Sequence, residues 1–580
     1  MKWLNIVMPA ARAGAARTWA TLCTMPAPLL IGLIAFMVYL YKPLIQSSTD
    51  NQPLRWGATL LAARGSLDFA ELPIDPNRFY SLQVVENGAV RSHTPVGTAL
   101  LAAPVFLVAR LLGMEFTDES VVFLDSLAAT LLTAGAVAMA THLARRWGRR
   151  TALFVGLALA FATPSWSTAS RCLWQHTGAQ FMLMAALCVL EGESRRTLRL
   201  FAGGAMLAFC FWCRPATAAL LLVIAGFALA ERRRDMIVGG GAAVVVLLSW
   251  IVYNLIIYGK PLGTYVTVGG LGPDTFTAYP RRLWGHLFSA NRGMFVFSPI
   301  LLLTLWPLAR HLRHARLDPW LAMMAWASLV GILVRGFFFG WFGGYCYGNR
   351  YALDTAGLML IGSGPLLARM LDRPLKAVVP WTLFALSAAV QLLGVARDYE
   401  SWNIFMKMTQ EDNAWNWRKP QILHCLTLGE WTRGPLPLHS EVNLPPNGIL
   451  ELRRNPDAPY LRYGFTYQEP WGVWIMPPKT GIIFNMPGAR PLRVRCELIS
   501  QVFPYDPTTV ALLLNGRKFG ELVLLKAEWR FEDLPWFDVP KEYVREGLNM
   551  LELRVNRACY PYASPAAVGA ALNRVIVVPQ

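Results

Sequence analysis

The polar chemistry of this 580-residue chain is gathered in short stretches between apolar runs. The first, residues 50–97, carries the carboxylates Asp50, Asp68, Glu71 and Asp75. A carboxylate there can take a proton from an attacking hydroxyl. Cations recur further along: Arg171 and His176 in ATPSWSTASRCLWQHTG (162–178), Arg214 before Pro215, Lys260 in YNLIIYGKPLGTY (253–265), Arg292 in SANRGMFVFSP (289–299) and Arg350 in WFGGYCYGNRYALD (341–354). Arginine grips phosphate through paired N–H groups, and fixed cations stabilise the charge on a leaving phosphate. Trp341, Phe342, Tyr345 and Tyr347 offer flat faces for a sugar or a lipid chain, and Gly343, Gly344 and Gly348 let the backbone approach a ligand closely. Together these residue types point to group transfer from a lipid-anchored phosphate donor.

Each residue also has a plainer reading. Arg171 and Arg214 at helix ends can snorkel to lipid headgroups. Asp68 in GSLDF can cap a turn, and His93 can cap the helix that follows it. His176 reads more readily as a packed polar residue than as a ligand. The GGYCYGNRY stretch can be a tight turn lined by aromatic rings.

The elements that must hold these residues are membrane helices. The chain is 54% hydrophobic and only 16% charged, against about a quarter charged in soluble domains. The excess lies in runs of about 18–22 residues, enough to cross a bilayer as helices. The 22 tryptophans suit interfacial anchoring. A net charge of +18 raises nucleic-acid binding, but the basic residues form short clusters between apolar runs, the positive-inside pattern. Nine cysteines show no metal spacing, and Cys210 and Cys213 lie inside an apolar run. The first apolar run is too long for a signal peptide core and reads as an uncleaved span.

The charge rule sets the order of crossings. Span 1 covers about 27–45 with a cytoplasmic N-terminus, so the loop from 46 is external. Counting 96–113 as a span would put HLARRWGRR (142–150) outside. This segment is short, has Pro104 at its middle and Arg110 near its end, so it reads as a surface or re-entrant helix. Spans follow at about 120–141, 151–169, 173–190, 200–214, 216–230, 236–257, 294–310, 319–336, 355–369 and 377–396, about 11 in all. The clusters at Arg145–Arg150, Arg195–Arg199, Arg232–Arg234, Arg310–Arg316 and Arg369–Lys376 then lie inside. Residues 397–449, rich in Trp and Pro, form an external connector. From 450 to 580, LRVRCELI, TTVALLLNG, KFGELVLL, NMLELRV and NRVIVVP alternate as strands, with a hairpin at Asn515-Gly516. The fold class is thus a polytopic α-helical membrane protein with a C-terminal all-β sandwich.

The segment TDNQPLRWGATLLAARGSLDF (49–69), the helix SHTPVGTALLAAPVFLVARLLG (92–113), and ATPSWS, RPAT, YNLIIYGKPLGTY, NRGMFVFSP and GGYCYGNRYALD resemble the GT-C superfamily of integral-membrane glycosyltransferases. The likeness is to the branch with protein O-mannosyltransferases and the lipid A aminoarabinose transferase, and it covers about 1–396. It implies Asp50 at the position of the catalytic carboxylate, although Asn51 follows where the family has Glu. Asp68 or Glu71 is then the second carboxylate candidate, and Arg55 sits near the motif's arginine. Arg350, Lys260, Arg292, His93 and Arg55 become candidates for the donor phosphate, and Tyr345, Tyr347, Trp341, His176 and Arg171 for sugar or lipid. The C-terminal part resembles a jelly-roll carbohydrate-binding module in which Trp471 and Trp474 either stack on glycan or fill the core. Cys425, Cys496 and Cys559 allow one disulfide.

The expectation is a transferase in a bacterial inner membrane, with residues 1–396 as the catalytic membrane domain and 46–119 as its external loop. It moves a sugar with inversion from a polyprenyl-phosphate donor, with undecaprenyl phosphate as the lipid, to a periplasmic hydroxyl on a glycan, lipid or protein such as a pilin. No cofactor is expected and a divalent metal is not favoured. The alternatives are a flippase for a lipid-linked sugar and a non-catalytic assembly subunit.

Overall fold

The computed structural model describes residues 25–41, 50–72, 81–85, 88–191, 196–229, 236–265, 274–314, 318–397, 402–403, 406, 410–426, 442–452, 461–463, 465–469, 472–475, 479–499, 508–524, 534–555 and 570–580. Asp75, Arg195, Arg232–Arg234, Arg316, Trp471 and Cys559 lie outside the described residues, as does the side chain of Trp474.

Helices occupy the chain as far as Gln421–Leu426, and strands follow from Ile449–Glu451. Among the described residues, Ser120–Trp147, Ile237–Tyr258 and Pro374–Ala396 are long and apolar enough to cross a membrane. Ala27–Leu40, Gly97–Leu111, Pro215–Phe227 and Pro319–Arg335 are apolar but shorter. Several of the other expected crossings are broken by their own sequence. Arg149–Phe161 stops before Pro164, and Ala356–Gly362 is separated from Gly364–Leu371 by a break at Ser363, whereas Arg196–Cys213 runs unbroken through the crossing expected at 200–214 and stops before Pro215 at the expected hairpin tip. Proline at such points removes the N–H that would continue the helix.

Small residues set the helix crossings. A methyl on Gly97 would lie 2.5 Å from the Cys213 nitrogen, and one on Gly178 would meet Thr98 at 2.4 Å. The Gly97–Leu111 helix is therefore wedged against Gln175–Glu191 and Arg196–Cys213. Arg110, in its last turn, donates to the carbonyls of Ala62 and Ala63 at the end of Gln52–Arg64. Those carbonyls have no partner within their own helix, and a cation suits that end of it. Thr117 and Ser120 exchange hydrogen bonds to cap the next helix, Asp118–Leu143. Tyr39 donates to the Ala160 carbonyl at 2.8 Å and ties Ala27–Leu40 to Arg149–Phe161.

Strands β1 (Leu82–Val84) and β2 (Val90–Ser92) form a small antiparallel hairpin in the first polar stretch. The C-terminal strands are β3 (Ile449–Glu451), β4 (Leu461–Tyr463), β5 (Phe465–Glu469), β6 (Gly472–Ile475), β7 (Lys479–Met486), β8 (Leu492–Ile499), β9 (Thr508–Leu514), β10 (Arg517–Leu524), β11 (Phe537–Val539), β12 (Gly547–Val555) and β13 (Ala570–Pro579). They form antiparallel sheets in the orders β10-β9-β12-β7-β4 and β11-β8-β13-β6-β5, with β3 beside β13. Alternate residues such as Ile482, Phe484, Val494, Cys496, Leu512, Leu553 and Val575 meet in one core. Asn515 and Gly516 both have positive φ, 52° and 84°, as the two-residue hairpin between β9 and β10 requires. Cys425 and Cys496 sit in separate cores and are not bonded to each other.

Candidate active site

Asp50 directly precedes the Gln52–Arg64 helix, whose Pro53 suits a first turn that lacks N–H partners. The helix is fixed by a buried ion pair. Arg55 donates through Nε and Nη2 to Asp125 Oδ2, at 3.1 and 3.0 Å. The other Asp125 oxygen accepts from the Leu173 amide at 2.9 Å, and Asn51 Nδ2 lies 2.7 Å from Cys172 Sγ. This lattice fastens the 172–174 segment beside Asp50 and presents Trp174.

Arg350 comes from the glycine-rich stretch. Gly343 has φ of 76°, and a methyl there would press on Arg350 Nε at 3.3 Å. Asn349 caps the Arg350–Asp354 turn by accepting from the Tyr351 and Ala352 amides and donating to the His286 carbonyl. The Arg350 guanidinium lies 4.7 Å from the Trp174 ring, and its Nη2 is 2.6 Å from Asp50 Oδ2. Burial would lower the pKa of Arg350, but Asp50 beside it holds it above the ordinary value.

Behind this pair lies a second layer. Asp354 accepts Arg214 Nε on both oxygens at 3.0 and 3.1 Å, Arg335 Nη2 at 3.3 Å, and faces His176 Nδ1 at 3.0 Å. The Tyr351 ring packs among the guanidiniums, with Arg335 at 4.1 Å, Arg214 at 5.3 Å and Arg350 at 5.4 Å. Burial alone would raise the Asp354 carboxyl, but Arg214, His176 and Arg335 hold it well below the usual carboxylate range. Tyr265 is near enough to feel Arg214, Tyr351, Arg335 and Asp50, and burial raises its phenol. Among the described residues, Arg214 Nη2, Arg350 Nε and Trp174 Nε1 are buried without a hydrogen-bond partner. Unmet buried N–H groups are costly, so an anion taking them up would gain both charge and hydrogen bonds.

The other expected site residues divide clearly. Arg292 is consumed by structure: it donates to the carbonyls of Phe342, Asn291 and Gly344 and to Gln421 Oε1 and Asn403 Oδ1. Arg55 is likewise committed to Asp125 rather than open to a phosphate. Asp68 caps the Phe69–Glu71 turn, accepts from the Val90 amide at 2.9 Å and faces Arg91 at 3.9 Å. Trp341 packs against Gly285 and Trp415. Tyr347 is buried against Phe297 and donates to the Val390 carbonyl at 2.7 Å. Both rings are core rather than open faces. Tyr345 is half-buried and Lys260 is exposed.

His93 is half-buried beside the β1–β2 hairpin. Its amide donates to the Ser81 carbonyl, Tyr258 donates to the Ser92 carbonyl, and burial lowers its imidazole. Arg171 is only 4% exposed, so it does not reach outward as a snorkelling side chain would. The residues that sequence reasoning left out are Asp125, Trp174, Tyr265, Arg335, Tyr351 and Asp354. A lone acid within an apolar helix was the available signal for Asp125. On the sandwich, a cleft beside residues 443–448 is lined by Asn485, Arg490 and Glu546, with no aromatic ring among its described lining residues.

No family model matches the chain, and no curated protein does. Among solved structures the chain is similar to the crystal structure of ArnT from Cupriavidus metallidurans bound to undecaprenyl phosphate. The identity is 15% and the TM-score 0.42, over 73% of this chain and 79% of that one.

Proposed function

We propose that the chain is an inverting glycosyltransferase of GT-C type that moves a sugar from a polyprenyl-phosphate donor to an acceptor hydroxyl on the external face of a bacterial inner membrane. The observation that carries this reading is the Asp50–Arg350 contact of 2.6 Å in front of a buried arginine cluster with unmet N–H groups. In the reaction the acceptor O–H bond breaks and its proton passes to Asp50. The acceptor oxygen bonds to the anomeric carbon from the side opposite phosphate. The carbon–phosphate-oxygen bond breaks and leaves its electron pair on the phosphate. Arg350, Arg214 and Trp174 Nε1 take up the charge that develops there. His93 and Lys260 supply the rim on the hairpin side.

The same reading takes residues 1–396 as the membrane domain with about 11 crossings, some built from the broken helices described above. The charge clusters support a cytoplasmic N-terminus and a periplasmic sandwich at 450–580, joined by the 397–449 connector. The acceptor is an envelope glycan, lipid or protein. The test is to give purified protein a radiolabelled polyprenyl-phosphate sugar and envelope extracts. The expected product is a labelled acceptor with the anomeric configuration reversed. Movement of intact donor across liposomes with no labelled acceptor would replace this reading with the flippase.

A further inference from the structure

The arginine cluster contains a buried carboxylate, Asp354, whose two oxygens face its own cationic and imidazole partners. We propose that Asp354 is a positioning residue that sets donor specificity, so that the site accepts a lipid monophosphate linkage and rejects a diphosphate one. This rests on the reading of the cluster as the donor phosphate site.

Both Asp354 oxygens are filled by Arg214, Arg335 and His176, so its carboxylate is aimed at its own partners and away from a ligand. The linked charged groups are the guanidiniums of Arg214, Arg335 and Arg350 and the carboxylates of Asp354 and Asp50. His176 shares its carboxylate with two guanidiniums, where a further cation is unfavourable, and counts as neutral. The buried, ion-paired cluster, which does not include the solvent-exposed rim residue Lys260, therefore carries one net positive charge. A sugar phosphodiester carries one negative charge and matches it.

When the acceptor proton reaches Asp50 the cluster gains one positive charge. At the same moment the departing phosphate becomes a monoester and gains a negative one. The charges match at both ends of the reaction. A diphosphate-linked sugar brings one more negative charge at each stage. Leaving that charge unpaired in a buried site is costly. Removing the Asp354 charge would supply the missing positive balance.

The experiment measures binding of undecaprenyl phosphate and undecaprenyl diphosphate to the full-length protein in nanodiscs, for wild type, Asp354→Asn and Arg335→Gln. Wild type is expected to prefer the monophosphate by about tenfold or more, the effect of roughly one charge-assisted hydrogen bond. Asp354→Asn should move the ratio toward the diphosphate by about tenfold, and Arg335→Gln should move it the other way. Where Asp354→Asn does not fold, Arg335→Gln reads the same claim with the opposite sign. An unchanged ratio in the folded variants, or an equal loss of both lipids, overturns the assignment and leaves Asp354 as scaffold alone. Failure of wild type to bind either lipid instead removes the phosphate site itself.

Discussion

Two buried arginine sites in this molecule use the same side chain in opposite ways. Arg292 is surrounded by fixed acceptors, three carbonyls and two side-chain amide oxygens, supplied by the neighbouring Asn291, the glycine-rich stretch and the segment after 402. The cluster of Arg214, Arg335 and Arg350 has the carboxylates of Asp354 and Asp50 for its three guanidiniums and keeps buried N–H groups unmet. Burial alone does not separate the two, because each arginine is less than a tenth exposed. The number of acceptors per guanidinium does. A saturated arginine holds structure together, and an under-supplied one is ready for an anion.

The sharpest way to break this comparison is at the carboxylate in front of the cluster. Asp50→Asn keeps the shape but cannot take a proton, so transfer should fall by roughly a hundred- to ten-thousand-fold. The melting temperature should also fall, because Arg350 loses its carboxylate partner, but by less than in Asp125→Asn, since the Asp50 side chain is 28% exposed. Initial-rate assays with a polyprenyl-phosphate sugar check this, and unchanged transfer would remove Asp50 as the base.

On the scaffold side the effect should appear in stability. Asp125→Asn leaves Arg55 as an unpaired buried charge and should cost about 3–5 kcal/mol. Adding Arg55→Met should restore much of it, giving a coupling energy readable by denaturation in detergent. Additive losses would show that the pair is not coupled.

Acid should separate the clusters in a third way. The Asp354 carboxyl is held below the usual carboxylate range by its cations. Its contribution to stability is therefore full above an ordinary carboxylate pKa and is lost as pH falls from there toward the folded value. Melting temperature followed from pH 7 downward should drop more steeply for wild type than for Asp354→Asn. Arg292→Gln, whose acceptors do not titrate, should keep the wild-type acid slope. The smallest effect belongs to the sandwich: Asn515→Ala should cost about 2 kcal/mol, because it loses bonds with the Tyr543 carbonyl, Asn549 Oδ1 and the Met550 amide and keeps a positive φ, and Asn515→Gly about 1 kcal/mol less, because only the bonds are lost.

Much of the architecture could be read from pattern. Alternation located β8, β9, β10, β12 and β13, and Asn515-Gly516 located their tightest turn. Pro104 and Arg110 marked the short helix at 97–111. Asp50 and Arg350 stood out as charges beside apolar runs, and the fold brings them together. What pattern cannot show is how many acceptors surround a charge. Arg55 and Arg292 looked as open as Arg350, and only packing against Asp125 or the 342–344 carbonyls distinguishes them. Asp354 and Arg335 were hidden for another reason. Each sits at the end of an apolar helix, where a charge reads as the edge of a span. Trp341 and Tyr347 looked like exposed faces because an aromatic residue in a glycine-rich turn carries no sign of the helix it packs on.

The central claim is that the under-supplied arginines bind phosphate and the saturated one does not. Undecaprenyl phosphate affinity of Arg350→Gln and Arg292→Gln, corrected for the folded fraction, tests it most directly. Arg350→Gln is predicted to weaken binding by about a hundredfold, the loss of roughly 2.7 kcal/mol of charge-assisted contact, with Arg292→Gln within about threefold of wild type. Equal losses, or a larger loss at Arg292, would contradict it.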